Sequence, residues 1–240
     1  MTKTLYLTDC YLKEFDAKIV DVLDDGTLIM LDQTAFYPTS GGQPNDLGSI
    51  KCNVELYNVI DVFKRDGEIL HKVDRSGLKK SDAVICEIDW ERRYVLMRYH
   101  TAAHILSTLI NSETGAEITG NQLYIDRARV DFSLEKFDRS LMIGFEEKAN
   151  AIIMKGLTVN FRLLDREDAL KIPSLTKLRM QLPETITQFR IVDIFDSDAD
   201  FDHQACGGTH IQNTQEIGSI KIFDLENKGR DRKRIYFRLE

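Results

Sequence analysis

Proline is scarce in this chain, with four in 240 residues, and two of them, Pro38 and Pro44, fall in one short stretch. No proline-rich or other low-complexity tract breaks the sequence, and there is no internal repeat. Cysteine is equally sparse: Cys10, Cys52, Cys86 and Cys206 are far apart and form no CxxC pair. That excludes a zinc ribbon and a dense disulfide framework. Cys10, Cys52 and Cys86 read as small buried apolar residues of a reduced, cytoplasmic protein. No apolar run approaches the ~18 residues of a membrane span, and Met1–Leu5 lacks the apolar core of a secretory signal. An excess of positive charge is missing too. The net charge is −7, so any surface for a polyanion has to be local.

What is present is an ordinary globular composition, 42% hydrophobic and 30% charged, with enough length for one large domain or two small ones. The first ninety residues read as β-structure. Thr4–Thr8, Lys18–Leu23, Thr27–Leu31, Ser49–Tyr57, Glu68–Val73 and Ala83–Ile88 are short β-branched and aliphatic runs. Turn signals at Asp24-Asp25-Gly26, Gly41-Gly42, Asp66-Gly67 and Ser76-Gly77 separate them. A small barrel or sandwich is expected. The stretch from Asp32 to Gly48 differs: it holds Pro38, Pro44, Gly41, Gly42 and Gly48. It reads either as an irregular surface loop or as a loop whose backbone approaches a partner closely, with Gln43 projecting.

Near residue 90 the pattern changes. Asp89-Trp90-Glu91-Arg92-Arg93 opens a helix in which Leu96, Tyr99, Ala103 and Leu106 form one apolar stripe; it is expected to stop between Asn111 and Gly115. A hairpin (Gln122–Ile125, Arg127–Phe132) follows. Next comes a helix from Asp138 to about Lys155 with Leu141, Phe145, Ala149 and Ile152 inward. Strands are expected at Leu157–Leu164, Arg190–Ile194, Ile217–Asp224 and Arg234–Leu239, with a short helix capped by Asp165 that ends before Pro173. Helices mix with antiparallel strands without a βαβ rhythm, so the class is α+β. The expected division is a barrel over 1–89 and an α+β domain over 90–240.

Histidine is scarce, and its placement is uneven. Of five, His100 and His104 lie four apart on one helix face, and His210 closes the segment Cys206-Gly207-Gly208-Thr209-His210. Three imidazoles and one thiolate form a ligand set suited to zinc. Thr101 stands where a zinc protease carries its glutamate, which sets protease chemistry aside. His203 is expected to be a solvated loop residue or a partner behind the ligands, and His71 a strand residue. A basic run, Lys228-Gly229-Arg230-Asp231-Arg232-Lys233-Arg234, reads as a phosphate-contacting surface or as a solvated turn. Arg92, Arg93 and Arg98 are candidates to extend it.

These motifs carry a resemblance. His100-Thr101-Ala102-Ala103-His104 followed by Cys206-Gly207-Gly208-Thr209-His210 resembles the zinc site of the alanyl-tRNA synthetase editing domain and of its stand-alone relatives, the AlaX proteins. Thr34–Pro38, Gly41–Pro44 and Asp46–Gly48 resemble the family's translation-factor-like barrel. Ile118–Gln122, Asp126–Phe132, Glu216–Gly218 and Glu226–Arg230 resemble its editing domain. The match runs through essentially the whole chain, in the medium-length AlaX arrangement.

By resemblance, one zinc ion is held by His100, His104, Cys206 and His210. The substrate is tRNA(Ala) mischarged with serine, or with glycine, and the reaction is hydrolysis of the ester at its acceptor end. Zinc would lower the pKa of a water to roughly 7, or orient the substrate. Thr119 and Gln122, just after the histidine helix, are the expected pocket residues, with Thr209 beside the metal as a lesser candidate. Serine is larger than alanine, so alanine has to be rejected through polar groups left unpaired. Gly41, Gly42 and Gln43 with Lys228, Arg230, Arg232 and Arg234 are the expected RNA-contacting residues. A monomer with no membrane partner is the preferred state. Two other readings stay open: a deacylase of the threonyl type, and a non-catalytic tRNA-binding module with structural zinc.

Overall fold

The computed structural model describes residues 2–134, 139–169, 187–196, 200–230 and 232–240. The expected cap Asp138 and the segment around Pro173 lie outside the described residues. The chain divides into two compact units, Met1–Leu96 and Met97–Glu240, and the division falls inside one helix.

The first unit is a closed antiparallel barrel. Its strands are β2 (Glu14–Leu23), β3 (Leu28–Leu31), β5 (Gly48–Cys52), β6 (Glu55–Arg65), β7 (Glu68–Val73) and β8 (Ala83–Ile88). They close in the order β2-β3-β7-β6-β5-β8, so no edge is left open. Alternate residues point inward: Ile19, Ile29, Leu31, Ile50, Val62 and Cys86 are almost wholly buried. The expected strand Ser49–Tyr57 is two strands, because Asn53 takes a positive φ of 53° and reverses the chain. The expected strand Thr4–Thr8 is a single 3-10 turn, Leu5–Leu7, after the two-residue strand β1 (Lys3–Thr4), which pairs in parallel with β4 (Gln33–Thr34). Gly48 is required where β5 meets β8, since a Cβ there would lie 2.1 Å from the Glu87 carbonyl oxygen.

The irregular loop after β4 is held from within. The Tyr37 N–H donates to Asp46 Oδ2 (2.6 Å), and the Asp46 N–H returns to the Tyr37 carbonyl (3.0 Å). Arg93 completes it: Nε donates to both Asp46 oxygens (2.9 and 3.0 Å), Nη1 to the Cys10 carbonyl (3.0 Å), and Nη2 to the Ala35 carbonyl (2.5 Å). Both side chains are fully buried. Arg93 is therefore not part of any basic surface; a buried guanidinium is tolerated only because Asp46 and two carbonyls replace its water. Removing one partner of such a pair typically costs about 3–5 kcal/mol.

The second unit begins within α1 (Trp90–Thr114). The Asp89 side chain caps the helix at the Arg92 N–H (3.2 Å), and Gly115, with φ +72°, ends it. The expected single apolar stripe is an underestimate. Met97, Ala102 and Ile105 are as buried as Leu96 and Leu106, so the middle of the helix is enclosed on every side. This is the pattern of a core helix.

Two antiparallel sheets accompany α1. One runs β14 (Ile220–Asn227), β15 (Lys233–Leu239), β10 (Ala128–Phe132), β9 (Ile118–Leu123); the other runs β11 (Thr158–Asp165), β12 (Gln188–Phe195), β13 (Asp200–Ala205). Helix α2 (Arg139–Lys155) stops at Gly156, φ +71°. Its buried face is Met142, Phe145, Ala149 and Ile153, rotated from the expected Leu141 and Ile152. Helix α3 is short, Arg166–Ala169. Thr214–Ile217 is a 3-10 turn closed by an Asn213–Glu216 capping box, so the strand expected from Ile217 starts at Ile220. The α+β class and the barrel expected from the sequence are both observed.

One buried base in the barrel makes its stability depend on pH. His71 is fully enclosed; its Nδ1–H donates to the Ile29 carbonyl (3.1 Å) and its Nε2 meets Thr34 Oγ1 (2.8 Å). Burial pushes its pKa down to about 4, against a smaller upward pull from the Ile29 carbonyl. The unfolded chain then binds one more proton than the folded chain between roughly pH 6.5 and 4, so stability falls as pH falls through that window. The expected loss is about 3 kcal/mol between pH 7 and 4. Urea unfolding of wild type and His71→Asn across that range measures it, and equal pH slopes would contradict the assignment.

Candidate metal centre

The centre is built from one helix and one turn. On α1, residues 100 and 104 share a face by helical periodicity. Cys206 follows directly on the last residue of β13, and the two glycines after it turn the chain so that His210 faces back. The ring centroids of His100 and His210 lie 4.3 Å apart and those of His104 and His210 4.6 Å apart. Cys206 Sγ is 3.4 Å from Nε2 of His100 and 3.4 Å from Nε2 of His210. One donor atom from each of the four lies within 4.8 Å of all the others. A tetrahedral zinc ion with bonds of 2.0–2.3 Å separates its ligands by about 3.3–3.6 Å. The donor set therefore fits such an ion with small adjustments. This is the one such cluster among the described residues.

What lies behind the ligands fixes their tautomers. The Thr101 hydroxyl donates to the Met97 carbonyl (3.1 Å), so its oxygen accepts from His210 Nδ1–H (3.1 Å). His104 Nδ1–H donates to Asp202 Oδ2 (3.0 Å), and the other Asp202 oxygen accepts from the Thr108 hydroxyl (2.6 Å). Both rings then turn Nε2 toward the centre. This is the usual way a protein orients metal-binding histidines. The sequence signal for Thr101 and Thr108 was their spacing on α1 beside the histidines. Asp202 had none, because its partner lies 98 residues away.

The charges of the metal-free cluster follow from the same neighbours. Burial raises the Cys206 thiol, but the His100 and His210 rings outweigh it and hold the thiol well below its usual range. Burial opposes a charged His104, yet the Asp202 carboxylate and the Cys206 sulfur lift it to about 9. Burial and the neighbouring His100 push His210 well down. Burial and the mutual attraction of thiol and imidazoles thus oppose each other across the cluster, and a divalent cation bound there would displace protons from it.

His203 does not join the cluster. It lies on β13, not in a loop. Nδ1 contacts Asp193 Oδ1, and Nε2 is 3.2 Å from Asp200 Oδ2. Strand alternation directs Asp202 to one face and His203 to the other.

The other expected residues are dispersed. Thr119 and Gln122 are half-buried on β9. Thr119 sits at a register shift between β9 and β10, and its buried Oγ1 has no hydrogen-bond partner among the described residues. Gln122 Nε2 donates to the Leu123 carbonyl (3.2 Å). Thr209 is fully buried within the turn.

In the barrel loop Gly41 is exposed, but Gln43 is fully buried. Its backbone exchanges two hydrogen bonds with Ser40 (2.9 and 3.1 Å), so its side chain does not project outward as expected. The basic run is largely spent on internal contacts. Arg234 makes a two-pronged pair with Asp131 (2.7 and 2.9 Å), Lys228 pairs with Glu226 (2.5 Å), and buried Lys233 holds the Gly229 and Arg230 carbonyls (2.6 and 2.9 Å). Arg230 and Arg232 remain exposed.

Comparison with known proteins places this geometry. Residues 4–92 match the model for "tRNA synthetases class II (A)", and residues 189–236 match that for the "Threonyl and Alanyl tRNA synthetase second additional domain". The alanyl-tRNA editing protein AlaX-M of Methanosarcina barkeri is 45% identical over 246 residues, covering 100% of this chain and 99% of that protein. The chain belongs to the AlaX-M family of alanyl-tRNA editing proteins. The family member of Saccharolobus solfataricus is 43% identical over 240 residues, covering 99% of this chain and 98% of its own length. The alanine–tRNA ligase of Pyrococcus furiosus is 38% identical over 241 residues, which is 98% of this chain but 26% of that enzyme. AlaX-M chains thus correspond to part of the ligase.

The Asp202–His104 contact generates a test. Asp202→Asn keeps a hydrogen-bond acceptor but removes the negative charge that favours protonated His104 in the metal-free protein. Loading zinc is then expected to release fewer protons at pH 8 than in wild type, and affinity is expected to fall ten- to a hundredfold. Chelator competition with a pH indicator reads both, and unchanged values would show that Asp202 only packs.

Proposed function

We propose that this protein is a trans-acting hydrolase of mischarged alanine tRNA. It removes serine, and secondarily glycine, from tRNA(Ala) by cleaving the ester at the acceptor end, without ATP. The observation that carries the reading is its full-length identity of 45% to a named alanyl-tRNA editing protein, in a chain that gathers three imidazoles and a thiolate at one point. The same reading makes residues 1–89 a barrel domain, residues 90–240 the editing domain, and the cytoplasm its place of work. Among the described residues no helix is long and apolar enough to cross a membrane.

In this reading His100, His104, Cys206 and His210 hold one zinc ion. Zinc supplies Lewis acidity, which either activates a water near neutral pH or orients the substrate's carbonyl and amine. The chain supplies everything else. Thr101 and Asp202 keep His210 and His104 as Nε2 donors. Asp202 also ties His104 to the Thr108 hydroxyl on the same helix. Four protein ligands make a closed, structural arrangement in most zinc proteins. That observation keeps the structural-zinc binding module as the second reading.

Selectivity is assigned to hydroxyls. A pocket that admits serine cannot exclude alanine by size, so it has to leave a polar group unsatisfied when alanine enters. The Thr119 hydroxyl, without a partner among the described residues, supports that role; Gln122 and Thr209 are the accompanying candidates. The exposed Gly41 and the side chains Arg230 and Arg232 are the proposed contacts for the tRNA backbone. Gly42 shapes the loop, while Lys228, Arg234 and Gln43 contribute through the pairs and turn they make.

Parallel assays on seryl-, glycyl- and alanyl-tRNA(Ala) and on seryl-tRNA(Thr) test the reading. Serine is expected to leave tRNA(Ala) at least 10²-fold faster than alanine, and Thr119→Val is expected to narrow that ratio about tenfold or more. Faster loss of serine from tRNA(Thr) would move the protein to the threonyl type. Loss of all esters at the enzyme-free rate would leave the binding module.

A further inference from the structure

The turn that carries Cys206 and His210 contains two consecutive glycines, and glycine gives a backbone more conformations than any other residue. Left to itself, Cys206-Gly207-Gly208-Thr209-His210 would sample many arrangements in which sulfur and imidazole do not converge. The structure shows what restrains it. Arg190, on the central strand β12, is 7% exposed, and its Nη1 donates to the carbonyl of Cys206 (2.9 Å) and to that of Gly208 (2.9 Å). Its own carbonyl accepts the Cys206 N–H (2.9 Å). Its guanidinium carbon lies 4.5 Å from the centroid of the Phe161 ring on β11.

We propose that Arg190 is a positioning residue of the metal centre: it holds the Cys206–Gly208 turn in ligand geometry before the ion arrives. The inference rests on reading His100, His104, Cys206 and His210 as metal ligands. The two hydrogens of one guanidinium nitrogen fix the spacing of two carbonyls two residues apart. The neighbouring N–H of Gly208 is left pointing at Cys206 Sγ (3.4 Å). The Phe161 ring packs against the guanidinium, so the same side chain is also supported from β11.

A lysine cannot reproduce this. It has a charge, but neither a planar fork nor a face that stacks on a ring. The central strand is also a firm base, since β12 is bonded on both sides: Arg190 stands opposite Leu163 of β11, and Ile191 opposite Ala205 of β13. Cys206 follows Ala205 directly, so the clamp acts one residue past the end of the sheet, where ladder hydrogen bonds give out.

Cobalt(II) titration of the metal-free full-length protein tests this, read by the thiolate-to-cobalt charge-transfer band. Wild type, Arg190→Lys and Phe161→Leu are compared, with circular dichroism as the check on folding. Arg190→Lys is expected to reach the same band at saturation but to need ten- to a hundredfold more cobalt, the usual range for groups that orient metal ligands. Phe161→Leu is expected to need several-fold more. A folded Arg190→Lys protein with wild-type affinity overturns the proposal. Should Arg190→Lys fail to fold, wild-type affinity in Phe161→Leu overturns it. No thiolate band in wild type removes the metal-ligand reading itself, and this inference with it.

Discussion

Gathering three imidazoles and a thiolate in a buried space is the constraint around which the second unit is arranged. Such a cluster is costly to assemble in an apolar interior unless each polar atom has a partner. Here the cost is spread over neighbours. Asp202 takes the outward proton of His104, the Thr101 oxygen takes that of His210, and the Cys206 sulfur shares contacts with the rings. The enclosure of α1 follows from this: a helix that supplies two ligands and two supporting hydroxyls cannot lie on the surface with one apolar stripe. The antiparallel ladder of β12 and β13 follows too, because it brings Asp202 and the start of the Cys206 turn to the same end of the unit.

The barrel obeys a parallel rule. Its irregular loop replaces ladder hydrogen bonds with Asp46, and Asp46 in turn requires Arg93 from the first turns of α1. A buried ion pair of this kind is weak evidence for stability but strong evidence that geometry is specified. The loop carrying Gly41, Gly42 and Gln43 is therefore an ordered structure in which Gln43 is buried while Gly41 stays at the surface.

Much of this was legible in the sequence, for identifiable reasons. His100 and His104 announce themselves through helical spacing, and Cys206 and His210 through the glycines between them. Turn residues marked most of the barrel strands. What stayed hidden depends on long-range partners. Asp202 and Arg190 lie in runs that read as ordinary strand or loop, and neither has a local pattern. Arg93 follows Arg92 in a charged stretch, and only Asp46, 47 positions earlier, takes it off the surface. The basic run divides for the same reason: Lys233 and Arg234 look exposed in sequence, but their acceptors are the carbonyls of the turn itself and Asp131 of β10. Ser49–Tyr57 read as one strand because Asn53 is a turn former only in its left-handed conformation.

The account stands on one claim, that the four-residue centre holds a metal ion on which ester hydrolysis depends. The measurement that tests it most directly is the rate of serine release from tRNA(Ala) by the protein as isolated, after a strong chelator is applied and removed, and after one equivalent of zinc is restored. The account predicts loss of at least 10²-fold in rate on metal removal, comparable to losing other major catalytic groups, and recovery on adding zinc. A metal-free protein that stays folded and cleaves the ester at the full rate would contradict it.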